Sequence, residues 1–248
     1  MADKKRIVVL SGSGISAESG LSTFRGGNGL WDNVPVEEVC SAQAWRHHPE
    51  KVQEFFNVRR AQLRDVEPND AHKILAQMEE DFNVDVVTQN VDNLHERAGS
   101  SRVLHLHGEL TKVRPEDCCC ERDGFSTEYV MDIGYRRVEM GEVGGPGKTQ
   151  LRPHIVFFGE AVPNLEAAAA LVARANVLLI VGTSMQVYPA ASLYRFAPSD
   201  CGIYVIDPDP SAAASIRGVH IIKDKATSGM RQFRDIMSDG SSKGETLR

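Results

Sequence analysis

Short apolar runs recur along the chain, separated by stretches with helical spacing. The runs fall at residues 7–10, 84–88, 103–106, 155–158, 177–181, 203–206 and 220–222. They are brief and mostly apolar on both faces, the pattern of strands covered by helices on two sides. Helical spacing fits residues 70–80, 165–175, 189–196 and 226–236. This alternation predicts an α/β fold with a doubly wound, Rossmann-like, mostly parallel sheet.

Two stretches break the rhythm. Residues 26–68 carry no clear strand, although 50–63 reads as a helix with Val52, Phe55, Phe56, Arg59 and Leu63 on related turns. Residues 111–152 are polar, weakly patterned and glycine-rich near 144–147. The two insertions predict a second, smaller lobe. One unit is therefore expected, with its core at about 1–25, 69–110 and 153–237. The lobe falls at 26–68 and 111–152, and a solvated tail at 238–248.

Composition changes this picture little. Of 248 residues, 42% are hydrophobic and 25% charged, which suits an ordinary globular core. A net charge of −6 supplies no general basic field, so neither a nucleic acid nor a membrane surface is an expected partner. No run reaches the length of a membrane span, and the first apolar run is too short for a signal peptide, so a cytoplasmic setting is expected. Of five cysteines, Cys118, Cys119 and Cys120 are adjacent, which is no extracellular disulfide framework.

Chemistry enters at the first strand. Residues 7–10 run into Ser11-Gly12-Ser13-Gly14-Ile15-Ser16-Ala17, where Gly12, Gly14 and Ala17 match the G-x-G-x-x-G/A fingerprint in spacing and context. Gly12 allows a tight turn, Gly14 a close approach of pyrophosphate, and Ala17 close packing of the helix against the sheet. The competing reading is a tight turn with no ligand. A dehydrogenase would carry an acidic ribose ligand at the end of a second strand ~20 residues on. Leu30-Trp31-Asp32-Asn33-Val34-Pro35 is no such strand. A nicotinamide dinucleotide is thus expected without hydride transfer.

Other strand ends are polar, and ligands of parallel sheets sit beyond carboxyl ends of strands. Thr88-Gln89-Asn90-Val91-Asp92 ends one run, and Gly182-Thr183-Ser184 another. Each could equally be a turn or a cap. His105-Leu106-His107-Gly108 ends a third, with both histidines on one face of an extended strand. Three readings stay open for them. They are structural, or they pair on a metal completed by Asp92 or His95, or one is a general base.

Taken together, the motifs resemble those of the sirtuins, NAD-dependent protein-lysine deacylases. The resemblance runs through Gly12–Gly20, Thr23-Phe24-Arg25, Thr88–His95, Leu106-His107-Gly108-Glu109, Leu151–Glu160 and Gly182-Thr183-Ser184. It covers nearly the whole chain and is nearest to the short bacterial, desuccinylase-like class.

The resemblance implies roles by position. Gly12, Ser13, Gly14 and Ala17, with Glu18 beside them, belong to the turn that would hold the pyrophosphate. Phe24 and Arg25 would lie on a cofactor loop closing over the nicotinamide ribose. Asn90, Asp92 and Ile15 would line the nicotinamide pocket, and Gln89 would orient the ribose. Gly182, Thr183 and Ser184 would meet the adenosine side, together with Asp207 and Ala226. An acylated protein or peptide would pair with backbone at Val156, Phe157, Phe158, Gly159 and Glu160 as an added strand. His107 would be the base, with Asn90 the second catalytic residue, and the products would be free lysine, nicotinamide and O-acyl-ADP-ribose. Rival readings are ADP-ribose transfer to protein, a metal-dependent hydrolase built on His105 and His107, and a non-catalytic NAD-binding module. The oligomeric state is left open.

Three departures from the family pattern carry consequences. The class reads acidic acyl groups with Tyr-x-x-Arg, whereas this chain has Phe56-Asn57-Val58-Arg59. The missing hydroxyl removes a hydrogen bond to a charged group, worth about 1.5–3 kcal/mol, on the order of tenfold to a hundredfold. Acetyl removal is therefore expected to persist and succinyl removal to weaken. Cys40 stands where that class has a small alanine. Finally, two C-x-x-C pairs usually bind a structural zinc in the small lobe, and here Cys118-Cys119-Cys120 stand alone. Adjacent residues cannot all converge on one tetrahedral ion, so no such zinc is expected, and apolar residues such as Phe125, Tyr129 and Tyr135 would hold the lobe. Elemental analysis of the purified protein is expected to find well under one zinc per chain, and a full equivalent would overturn this.

Overall fold

Six of the seven apolar runs assemble into one parallel sheet. The computed structural model describes residues 4–25, 30–31, 34–120, 124–125 and 128–242, with the backbone alone at 24–25, 30–31, 119–120, 124–125 and 240–242. The principal strands, in chain order, are β1 (Arg6–Ser11), β2 (Asn83–Thr88), β3 (Val103–His105), β4 (Gly108–Pro115), β5 (Met131–Asp132), β6 (Val143–Gly144), β7 (Thr149–Ile155), β8 (Val177–Val181), β9 (Gly202–Ile206) and β10 (His220–Ile222). The principal helices are α1 (Pro49–Arg64), α2 (Asp70–Gln77), α3 (Leu94–Ala98), α4 (Leu165–Val172) and α5 (Ala226–Ser242). None among the described residues is long and apolar enough to cross a membrane.

The parallel sheet has the order β10-β9-β8-β1-β2-β3. Its alternating side chains enter two separate cores. Ile7, Val9, Val84, Val86 and Leu179 pack with α2 and α5 on one face. Val8, Leu10, Val87, Leu178 and Ile180 pack with α4 and the 3₁₀ turn Ala190–Phe196 on the other. Full burial of such a side chain contributes about 1.5–3 kcal/mol, which is why the apolar runs marked these strands. Local signals agree at the ends. The Asn69 side chain accepts from the Ala71 backbone N–H at the start of α2, and Pro49 opens α1. α5 runs six residues beyond the helical pattern, through Ser242, into the expected tail.

The run at 155–158 is not a strand of this sheet. Residues 149–155 form β7, antiparallel to β4, in a second sheet of order β5-β4-β7-β6. Beyond it, Phe158 forms an isolated bridge with Ser41. Ile155 and Phe157 are buried by α1 and residues 36–45, and apolar character does not say which partner supplies the burial. The second sheet was hidden in the polar insertion because its paired residues include Arg114 and Arg152, directly opposite each other and both buried. Like charges across a ladder are destabilising. Here Glu160 lies between them, 2.7 Å from Arg152 and 3.4 Å from Arg114.

α1 is docked by polar groups as well as by Val52, Phe56 and Leu63. The Asn57 side chain exchanges two hydrogen bonds with the Val138 backbone, and the Arg60 Nε–H donates to the Leu110 carbonyl at 2.8 Å. Both side chains are buried.

At the carboxyl ends of β1 and β8 two turns touch. The Gly12 N–H donates to the Val181 carbonyl and the Gly14 N–H to the Gly182 carbonyl. After Gly12 the chain forms a 3₁₀ helix, Ser13–Ser19. Gly182 has φ +62°, and a Cβ placed on it would lie 2.3 Å from the Ile15 nitrogen. Gly182→Ala therefore combines left-handed strain with a backbone clash. It is expected to cost at least about 2 kcal/mol, a melting-temperature fall of roughly 4–8 °C. Gly20, at φ +96° with open space around it, supplies the control. Gly20→Ala should show the strain alone, and equal melting shifts in the two variants would refute the clash.

Candidate active site

The two touching turns and the ends of β2 and β3 surround one cavity of about 670 Å³. That is within the range of small-molecule and cofactor sites. The floor comes from the glycines. Cβ atoms on Gly12 and Gly14 would stand 2.7 Å from Gly182 atoms, so the turn presents bare backbone. Ser13, Ala17 and Glu18 line the same region, as do Gly182, Thr183 and Ser184 from the facing turn, with Asp207 and Ala226 at the far end. A side-chain-free cradle beside hydroxyl groups fits a pyrophosphate-bearing nucleotide. Burial raises the Asp207 carboxyl, partly offset by the Asp209 N–H. Glu18 is anchored by accepting from both the backbone and the hydroxyl of Thr227.

The polar end of β2 forms the second wall. Gln89, Asn90 and Asp92 line the cavity. The Gln89 side chain donates to the Thr183 hydroxyl at 3.1 Å, bridging two strand ends. Asn90 Nδ2 donates to the Ser16 hydroxyl at 3.1 Å, which in turn donates to Asp92 Oδ2 at 3.0 Å. Asp92 also accepts from the Leu94 N–H. Burial raises the Asp92 carboxyl, while these two hydrogen bonds oppose the rise. The turn at 89–92 is thus tied to the glycine turn by fixed hydrogen bonds.

His107 stands at the junction of these walls and lines the cavity. Its Nδ1 lies 3.0 Å from the Gln89 carbonyl oxygen. A carbonyl only accepts, so Nδ1 carries the proton and Nε2 keeps its lone pair. Burial lowers the His107 pKa from its ordinary value, outweighing the Gln89 bond. The imidazole is neutral at neutral pH, with one nitrogen able to take a proton. His105 does not line the cavity. Its Nδ1 faces the Asn90 carbonyl at 2.9 Å and its Nε2 faces Glu96 Oε1 at 2.8 Å. Neither nitrogen keeps a lone pair for a metal, which removes the geometry a His105–His107 metal pair needs.

Toward the small lobe the walls become apolar. Val156, Phe157, Phe158, Gly159 and Glu160 line the cavity together with Cys40 and Arg59. The Arg59 guanidinium lies 4.3 Å over the Phe55 ring. Phe56 is fully buried behind this wall, stacked on Phe157 with ring centroids 5.8 Å apart. Ile15 is likewise buried in the core behind the glycine turn. Burial, with Glu160 nearby, pushes the Cys40 thiol up to about 12, so it remains a protonated, inert filler. Gln62, Val187, Tyr188 and Lys225 were singled out by no motif and line the same cavity. The only hint for Val187 and Tyr188 was their place just after the Gly182 turn.

Several expected residues fall outside these observations. The side chains of Phe24, Arg25, Cys119, Cys120 and Phe125 lie outside the described residues. Among the described residues no three metal-ligating side chains converge.

Known proteins match this arrangement. The Sir2 family model matches residues 12–189. An NAD-dependent protein deacylase of Bacteroides thetaiotaomicron is 47% identical over 235 residues, which is 94% of this chain and 98% of the relative. Another, of Helicobacter pylori, is 49% identical over 229 residues, 92% of this chain and 96% of its own. A solved complex of a Sir2 homologue with NAD has a TM-score of 0.81 at 35% identity, covering 96% of this chain and 91% of that one. A Sir2 complex with a deacetylated p53 peptide and 3′-O-acetyl ADP ribose has a TM-score of 0.75 at 28% identity, covering 96% and 94%. With the family model spanning residues 12–189 and relatives nearly half identical along almost their full length, the chain belongs to the Sir2 family.

Proposed function

We propose that the protein removes acyl groups from protein lysines at the expense of NAD, releasing nicotinamide and O-acyl-ADP-ribose. Acetyl is the preferred group and succinyl a weakened one. The reading rests above all on His107, a neutral histidine whose tautomer is fixed by Gln89 where the glycine turns meet the polar strand end.

Bound NAD supplies the ribose carbon that nicotinamide leaves and the ADP-ribose that carries the acyl group away. The protein's own residues do the rest. The bare turns at Gly12–Gly14 and Gly182, with Ser13 and Ser184, hold the phosphates and adenosine, and Asp207 and Ala226 close the far end. Phe24 and Arg25 belong to the loop over the nicotinamide ribose. Asn90 and Asp92 hold the nicotinamide side, and Gln89 orients the ribose. His107 accepts a proton at Nε2, and the Gln89 carbonyl stabilises the resulting imidazolium through Nδ1–H. Substrate backbone lies along Val156–Glu160, and Phe157 keeps water from the reacting acyl group. The core at 1–25, 69–110 and 153–237 thus carries the nucleotide. The lobe at 26–68 and 111–152 carries the acyl pocket and needs no structural zinc. The setting is cytoplasmic.

Nicotinamide release on acetylated and succinylated peptides tests this reading. His107→Ala should keep NAD binding and lose deacylation by roughly 10²–10⁴-fold. Label retained on protein from labelled NAD would instead favour ADP-ribose transfer. The lowered His107 pKa fixes the sign of the acid limb. The active form is neutral imidazole, so the wild-type rate should hold as pH falls and drop only below the ordinary histidine value of about 6.5. A midpoint above that value would contradict the burial argument.

The acyl pocket is tested at Phe56 and Arg59. Phe56 is fully buried behind the cavity wall, so Phe56→Tyr tests whether a hydroxyl on that layer reaches the acyl group; if it does, the succinyl-to-acetyl rate ratio should rise by about tenfold or more. Arg59→Met should lower succinyl removal and spare acetyl removal. A ratio unchanged in both variants would count against an acyl-reading role for this helix.

A further inference from the structure

His105 is buried, takes no part in the chemistry above, and is held between two groups that can only accept. One is the Asn90 carbonyl, 2.9 Å from Nδ1, and the other is the Glu96 carboxylate, 2.8 Å from Nε2. Both ring nitrogens must carry protons to satisfy this geometry, so His105 is a buried imidazolium. Its two partners lie at opposite ends of the segment that holds the nicotinamide side of the cavity. Asn90 is at the start of the turn at 89–92, and Glu96 is on α3, directly after it. The His105 carbonyl is in turn fixed by the Asn164 amide at 2.8 Å, so the clasp is anchored to the loop before α4.

We propose that charged His105 is a positioning residue that clasps the 89–96 segment shut and thereby sets the affinity of the site for NAD. The inference rests on the reading of Asn90 and Asp92 as the nicotinamide wall. Loss of one proton opens the clasp whichever nitrogen gives it up. Either a carbonyl or a carboxylate then faces an imidazole lone pair at hydrogen-bond distance.

The surrounding charges agree with this state. Burial lowers the His105 pKa, but the Glu96 hydrogen bond and charge, Glu109 on β4 and the Asn90 carbonyl outweigh it, and the net shift is upward. Asp92 on the turn is a further negative neighbour. Lys112 on β4 acts on Glu96. The other histidines nearby do not share the charge. Burial holds His95 on α3 well below its ordinary value, and burial with Arg114 beside it lowers His154 on β7 to about 3. His107 is depressed as well. Of these histidines only His105 is shifted upward, toward the doubly protonated form that its two accepting partners require.

The test is NAD binding by calorimetry across pH 6.5–9.5, alongside kcat and KM for NAD. In the wild type the dissociation constant should rise about tenfold through a single-proton step above neutrality, with KM following and kcat less affected. Glu96→Gln is the decisive variant. A glutamine amide can donate to an unprotonated Nε2 while Nδ1–H still bonds Asn90, so the clasp no longer needs the charge. The alkaline rise should disappear in Glu96→Gln, an outcome that a merely structural role would not produce. His105→Ala should abolish the alkaline step and hold the dissociation constant at the weak alkaline wild-type level at every pH, about tenfold above the wild type below neutrality. Ring-nitrogen NMR should find both His105 nitrogens protonated at pH 7.5. A wild-type alkaline rise surviving in Glu96→Gln, or a neutral His105 in the spectrum, overturns the proposal even if His105→Ala fails to fold. If the deacylase reading itself is wrong, no acyl group leaves the peptide at any pH, while the binding profile still reports on the clasp.

Discussion

Everything at the site depends on a backbone contact. Two turns at the ends of adjacent parallel strands approach so closely that no side chain fits at Gly12, Gly14 or Gly182, with the Gly14 N–H donating to the Gly182 carbonyl at 2.8 Å. The strand order places this contact at the topological switch point, where β1 is flanked by β8 on one side and β2 on the other. Connections leave in opposite directions there, and a crevice opens beyond the strand ends. The glycines are what allow that crevice a polar floor of main-chain groups. Once the floor is fixed, the adjacent strand ends decide what lies along its length. β2 contributes Gln89, Asn90 and Asp92, and the chain leaving β3 contributes His107.

The small lobe is joined to this crevice through buried charge. Arg114 and Arg152 face each other across the β4–β7 ladder, and the Glu160 carboxylate pairs with both while accepting from the Phe157 N–H at 2.8 Å. Arg152 also lies 4.0 Å over the Phe157 ring. Buried ion pairs gain little net stability over apolar packing, and breaking one partner is costly. The consequence here is geometric. One carboxylate fixes the turn 157–160, the wall where substrate backbone is proposed to lie, to the sheet of the lobe.

The parallel core was legible because its strands are buried on both faces and read as unbroken apolar runs. The glycine turn was legible because close approach restricts residue type. The second sheet was not, for the same physical reason that makes it coherent. Its partners are far apart in sequence, as with Pro115 opposite Leu151, and its buried positions include arginines whose burial depends on a glutamate elsewhere. Periodicity also misassigned 155–158, since an apolar run reports that something covers it and not what. Gln89 and Asp92 could be placed beyond a strand end from sequence, but the Ser16 hydroxyl that links Asn90 to Asp92 could not. Nor could the burial of Ile15 and Phe56 one layer behind the cavity wall.

The two histidines two residues apart illustrate how far residue type falls short of function. Sequence offered them as equivalent, on one face of one strand end. In the fold, each donates from Nδ1 to a main-chain carbonyl of the same turn, Gln89 for His107 and Asn90 for His105. The difference lies at the opposite nitrogen. Among the described residues no acid is hydrogen-bonded to Nε2 of His107, so burial dominates and its pKa is lowered. His105 has Glu96 there, so the ion pair outweighs burial and the pKa of the ring is raised. A single carboxylate on α3 separates the proposed base from the proposed clasp. The pair can therefore serve one turn in two ways, one member acting on what the cavity holds and the other keeping the cavity's wall in place.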